Sequence, residues 1–196
     1  MLSTTQVECR VNPIPPSKWK AEWATILGGL PGDSLKGKYY PYNVMGTIAY
    51  QKDLFSHFMK YWVASKTALH LTVRAQEMII LRMAVLNDCD YVWGHHVPVA
   101  LEGGLSRMEI NSLLYDIKAS DWSSREFILL SIVDEMYLSK KLTNESWERA
   151  KQFFDEHQIL DIITIISQYV YFSLVNNVFQ VELEEAIEPI PSTIGS

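Results

Sequence analysis

The chain has 196 residues, 48% of them apolar and 20% charged, and its 17 Lys and Arg against 23 Asp and Glu give a formal net charge of −6. That length suits one domain with a substantial core, and the apolar share excludes wholesale disorder. The acidic balance repels phosphate backbones, and no Lys/Arg-rich run opposes it, so nucleic acid is excluded as the expected partner.

Residues 1–42 read as an extended lead-in, stiffened by Pro13, Pro15 and Pro16, with one short helix around Ser17 to Leu27 and turns at Gly28, Gly29, Pro31 and Gly32. The lead-in has no apolar signal-peptide core, so a cytoplasmic location is expected. Cys9 and Cys89 are too few for a disulfide framework, which agrees with a reducing compartment. Gly32 to Lys38 matches the start of a phosphate-binding loop. However, Tyr39 stands where a Ser or Thr should hold magnesium, and no strand precedes it, so a surface loop is the better reading.

From residue 43 to 181 the pattern is helical. Met45, Ile48, Leu54, Phe55, Phe58, Met59 and Trp62 recur at three- and four-residue spacings. Thr72 is placed to cap a helix over Val73 to Leu86, and Asn87-Asp88 breaks it. A second helix is expected from Asp90 to Glu102, ended by Gly103-Gly104. Ser106 with Glu109 forms a capping box. Ser123 opens a long helix to about Leu138, Thr143 or Asn144 opens another to Glu156, and the last runs from about Gln158 to Val181. Residues 182–196 form an acidic, Pro-containing arm.

Strand patterns are nearly absent, so the fold expected is an all-α bundle of about seven helices. Ile159 to Phe179 is apolar enough to suggest a membrane span, but Asp161, Gln168, Asn176 and Asn177 would be expensive in hydrocarbon. Core packing or a subunit contact explains it better, so no membrane and a homo-oligomer are expected.

The stretch richest in chemistry runs from Arg74 to Leu105. At about 100° per residue, Cys89, Val92, Trp93 and His96 share one narrow helix face, with Cys89 and His96 about 10 Å apart along the axis. Cys89 falls at the helix start, where amides and the macrodipole favour a thiolate. Glu77 lies on the preceding helix, whose short turn lets it face that stripe, and a carboxylate beside an imidazole suits acid–base work. Each residue also has a plainer reading: Cys89 as a small buried side chain, His96 as a satisfied buried histidine, Glu77 as a carboxylate paired with Arg74 or Arg82. His95 points about 100° away from His96, and no Asp/His cluster completes a coordination shell, so no metal is expected.

Arg74-Ala75-Gln76-Glu77, Asn87-Asp88-Cys89-Asp90-Tyr91-Val92-Trp93, His95-His96-Val97-Pro98 and Gly104-Leu105-Ser106 together resemble the signature of the carboxymuconolactone decarboxylase family, of the alkylhydroperoxidase D-like superfamily. The resemblance implies an alkylhydroperoxidase D-like helical domain over 43–181, no cofactor and a small-molecule substrate. It also implies Glu77, Cys89 and His96 as catalytic residues, with Tyr91, Trp93, His95 and Arg74 around the substrate. Val92 departs from the pattern: the dithiol peroxidases of the superfamily carry a second cysteine there to resolve the sulfenic acid. The expectations are therefore a decarboxylase or related lyase using Glu77 and His96, a peroxidase-like oxidoreductase working through Cys89 alone, or a non-catalytic binding module.

Overall fold

The computed structural model describes residues 9–23, 42–119, 121–185 and 187–191. The phosphate-loop resemblance at Gly32 to Lys38 lies outside them. Helices make the architecture, and no β-strand occurs among the described residues. They are α1 (Tyr42–Ile48), α2 (Lys52–Thr67), α3 (Val73–Leu86), α4 (Asp90–Glu102), α5 (Arg107–Ser112), α6 (Ser124–Ser139), α7 (Asn144–Ala150) and α8 (Glu156–Phe179). Short 3-10 turns lie at Pro16–Lys18 and Ile117–Ala119.

α3 is the central rod because it is apolar nearly all round. Met78, Ile79, Ile80, Leu81, Met83 and Ala84 are all buried, and a helix without a polar face must be covered on every side. α4, α8 and α6 supply that cover. Local chemistry sets the helix ends. Thr72 accepts from the Ala75 amide, and capping boxes close the starts of α5 (Ser106, Glu109), α6 (Ser123, Glu126) and α8 (Asp155, Gln158).

Two boundaries differ from the sequence reading. α7 stops at Ala150 rather than running to Glu156, because Asp155 captures the Gln158 amide and starts α8 anew. α8 ends at Phe179, where Gln180 turns left-handed (φ 53). α4 keeps the expected bounds, running from Asp90 through Pro98 to Glu102.

α8 is long and apolar enough, by length and composition, to cross a membrane. Its polar residues nevertheless find partners inside the protein. Asp161 accepts from the His70 amide at 2.5 Å, Gln168 pairs with Ser65, and Asn176 Nδ2 donates to the Phe172 carbonyl. The Phe58 and Tyr171 rings, 5.0 Å apart, seat α2 on α8.

The first and last described segments are docked. Trp23 packs 4.5 Å from Phe55 and donates to Ser56, while Ile14 bonds the Gly46 carbonyl so closely that a Cβ at Gly46 would lie 2.6 Å from Ile14 O. The C-terminal arm buries Val181 and Ile187 and crosses α4 at Gly94.

Candidate functional site

The site is built on the turn between α3 and α4. Asp88 takes a left-handed conformation (φ 49), which redirects the chain, and Cys89 becomes the N-cap of α4. The helices then pack side by side, with α8 against both. This brings Glu77 and His96 together: Glu77 Oε2 lies 2.7 Å from His96 Nδ1. Both are largely buried.

The other face of the imidazole was not foreseen. Tyr169 of α8 places its hydroxyl 2.9 Å from His96 Nε2, and Lys66 of α2 donates to that hydroxyl at 2.8 Å. The proton positions follow from what each group can do. An ammonium only donates, so Tyr169 keeps its own proton for Nε2. A carboxylate only accepts, so Nδ1 carries the hydrogen. The result is a one-directional chain, Lys66 to Tyr169 to His96 to Glu77, with a neutral imidazole in the middle.

The electrostatics agree. Burial pushes the His96 pKa below its ordinary value, and the Glu77 carboxylate pulls part of that back. Burial likewise lowers Lys66, against the attraction of Glu77. Tyr169 is raised well above its usual range by burial and by the Glu77 charge.

Cys89 is fully buried. Burial pushes its thiol pKa up, and the amides of Val92 and Tyr91 and the Ser173 hydroxyl offset only part of this. The expected benefit of a helix start is therefore overcome: the macrodipole is worth about 0.3–1 kcal/mol, less than the desolvation of a thiolate. Ser173 lies beside the thiol, and its own buried hydroxyl has no other partner among the described residues. Ser173 and Tyr169 are one turn apart on α8, as Cys89 and His96 are two turns apart on α4, so one seam carries both pairs.

The remaining expected residues divide. Trp93 is buried in the core. Tyr91 and His95 belong to a different cluster, around Glu184 of the C-terminal arm. Glu184 accepts from the Tyr91 hydroxyl (2.6 Å) and the Asn43 amide (2.9 Å), and its second oxygen lies 2.6 Å from His95 Nε2. These contacts fasten the arm to α4 and α1. They engage the Tyr91 hydroxyl and the Nε2 of His95 in that fastening.

Arg74 is engaged by protein oxygens as well. It donates to Glu126 Oε1 (2.8 Å), Glu109 Oε1 (2.5 Å) and the Gly104 carbonyl (2.7 Å), tying the starts of α5 and α6 to α3. Arg82 is spent on Asp134 and on the carbonyls of Leu113 and Tyr115. Sequence reasoning missed Tyr169, Lys66 and Ser173. Their available signal was the run of polar atoms Gln168, Tyr169, Ser173 and Asn176 on one face of an otherwise apolar helix.

Among the described residues, no group of three or more His, Cys, Asp or Glu is placed to hold a metal ion. Comparison with known proteins bears on the whole arrangement. The uncharacterized protein YdfG of Bacillus subtilis (strain 168) is 26% identical over 105 residues, 53% of this chain and 70% of that protein. Two solved structures share the fold. One is the debrominase Bmp8, as a Cys-to-Ala variant in complex with 2,3,4-tribromopyrrole (TM-score 0.75, 16% identity, 91% of this chain and 94% of that one). The other is ATU0492 of Agrobacterium tumefaciens, a protein of unknown function described as a candidate AhpD antioxidant defence protein (TM-score 0.64, 20% identity, 69% and 94%). The family model for carboxymuconolactone decarboxylases matches residues 52–135, the stretch that carries Lys66, Glu77, Cys89 and His96. Through that segment the chain is similar to the carboxymuconolactone decarboxylase family, and it shares its helical fold with both solved structures.

Proposed function

We propose that this protein is a small-molecule enzyme of the carboxymuconolactone decarboxylase type, in which Glu77 and His96 move a proton to and from a lactone or carboxylic-acid substrate. One observation carries the reading: the unbroken hydrogen-bonded chain of Lys66, Tyr169, His96 and Glu77, with contacts of 2.7–2.9 Å. Loss of carbon dioxide from such an acid leaves an enolate that needs a proton. Both imidazole nitrogens are engaged, so Tyr169 Oη is the outlet of the chain: as it takes the acid proton of the substrate its own passes to His96 Nε2, Glu77 steadies the imidazolium that forms, and the reverse transfer delivers a proton to the enolate. The test is turnover of carboxymuconolactone, followed by release of carbon dioxide. His96→Gln and Glu77→Gln are expected to lose about 10²–10⁴-fold in rate, while Cys89→Ala keeps it. Full activity in His96→Gln refutes the reading.

A second reading rests on Ser173. Its otherwise unpartnered hydroxyl and the amides of Tyr91 and Val92 converge on the Cys89 sulfur, which supports thiol chemistry at that point. Attack of Cys89 on a peroxide would yield a sulfenic acid and an alcohol or water. With Val92 in place of a second cysteine, an external thiol must then reduce the sulfur. Peroxide consumption that depends on added thiol, vanishes in Cys89→Ser and survives Cys9→Ser would favour this reading over the first. For partners, we propose self-association through the outer face of α8.

A further inference from the structure

Lys66 presents a physical problem that the proton chain does not solve. Its ammonium is half-buried, donates one hydrogen bond, to Tyr169, and makes no ion pair among the described residues. Glu77 attracts it from three hydrogen bonds away, but that carboxylate is committed to His96. A cation taken partly out of water with two N–H groups unclaimed is costly unless an anion meets it. The two arginines of the central helix are both engaged by protein oxygens.

One turn earlier on the same face of α2, Trp62 is in the same condition. Its indole N–H is buried and has no hydrogen-bond partner among the described residues. Lys66 Nζ sits 5.7 Å from the Trp62 ring centroid and 5.3 Å from that of Tyr169. Donors without acceptors thus gather at the outlet of the chain, between aromatic faces. Native proteins leave few such groups unpaired, and an acceptor-only ligand would satisfy them together.

We propose that Lys66, Trp62 and Tyr169 form a receptor for the carboxylate of a small, planar organic acid, with the ammonium as counter-ion and the indole N–H and phenol as orienting donors. The receptor deepens the proposed function by naming its substrate class, and it rests on that reading only for what happens after binding. Phe172, whose ring lies 6.1 Å from Trp62 and 5.8 Å from Tyr169, supplies an apolar wall for the rest of the molecule. Seated there, the acid lies against Tyr169 Oη, where the proton leaves the chain.

Binding can be measured without turnover, using benzoate as the probe, benzamide as its uncharged isostere and inorganic phosphate as a non-carboxylate anion. Titrations are followed by calorimetry and by the imidazole nitrogen resonances of His96. Benzoate is expected to bind saturably and shift the His96 Nε2 resonance, with benzamide and phosphate each at least about tenfold weaker. Lys66→Met should weaken benzoate at least about tenfold, and Lys66→Arg should recover most of the loss. Trp62→Phe, which removes only the N–H, should weaken it severalfold and guards against a Lys66→Met chain that fails to fold. Benzoate that does not saturate, benzamide or phosphate binding as tightly, or equal affinity in Lys66→Met or Trp62→Phe would each overturn the receptor. The two readings fail separately: charge-selective binding without turnover of carboxymuconolactone removes the reaction but keeps the receptor. Turnover without charge selectivity does the reverse.

Discussion

Replacing Glu77 tests the proton chain at its buried end. The carboxylate is 4% exposed and 2.7 Å from His96 Nδ1. Glu77→Ala leaves the Nδ1–H without an acceptor in the interior and opens a gap beside α4. Removing one partner of a buried pair of this kind costs about 3–5 kcal/mol. At about 2–4 °C per kcal/mol for a chain of this size, Tm should fall by roughly 6–20 °C. Glu77→Gln keeps the volume and an oxygen acceptor and loses only the charge, so about 1 kcal/mol is expected, the difference between a charge-assisted and a neutral hydrogen bond.

The pH dependence separates this account from simple packing. Burial lowers the folded His96 pKa, and the Glu77 charge opposes it, so Glu77→Gln should lower it further. A histidine depressed in the folded state is protonated first in the unfolded chain. Its contribution to stability is therefore whole above about pH 6.5 and is lost as pH falls through that value towards the folded pKa. In Glu77→Gln that window extends to lower pH. Urea denaturation at about pH 5 and about pH 8, with imidazole NMR titrations assigned through His96→Gln, measures both. A Glu77→Ala chain that melts with wild type, or a His96 pKa that rises in Glu77→Gln, refutes the reasoning.

Arg82→Met strands Asp134 and the carbonyls of Leu113 and Tyr115. Because the Asp134 side chain is 21% exposed and can regain water, the loss should sit near the low end of the buried-pair range, about 3 kcal/mol by urea denaturation. Gly94→Ala would put a Cβ 2.4 Å from Ile187 Cγ2 and 2.5 Å from the Glu188 carbonyl oxygen. A backbone oxygen cannot rotate aside, so the C-terminal arm must lift, seen as faster limited proteolysis after residue 181 with the helical core still cooperative. Cys89, buried and with its thiol pKa raised, should be alkylated by iodoacetamide well after Cys9, as read by mass spectrometry. Leu160, Ile163, Leu174 and Val178 form an exposed apolar stripe on α8; if it joins two copies, Leu174→Glu should reduce the mass measured by sedimentation towards one chain.

The pattern of what could be read from sequence has a physical cause. Thr72, Ser106 with Glu109, and Ser123 with Glu126 announce helix starts because a cap acts within one turn of its own position. Glu77 and His96 were legible for nearly the same reason. They lie on consecutive rods joined by a three-residue turn, so their meeting is almost a local event. Lys66 and Tyr169 come from helices 103 residues apart in number, brought together at 2.8 Å only by the way α2 and α8 pack on the core. No spacing rule reaches that far, and at that range only tertiary packing decides which side of an apolar helix carries a polar atom inward. Arg74 shows the converse. Its two readings stayed open until the capping carboxylates Glu109 and Glu126 were found to serve a second purpose as its partners.

Burial also bears on which chemistry stands ready. The same desolvation that keeps the His96 imidazole neutral keeps the Cys89 thiol protonated. At neutral pH a neutral imidazole whose Nε2 accepts from Tyr169 can take up a proton there and return it along the same contact. A protonated thiol must first lose its proton, and the His96 base lies about 10 Å along α4, already held at both nitrogens by Glu77 and Tyr169. Thiol attack at this seam therefore demands a substrate that displaces Tyr169 from His96 or brings its own base. Proton transfer demands only a substrate at Tyr169, and that asymmetry favours acid–base chemistry as the resting competence of the site.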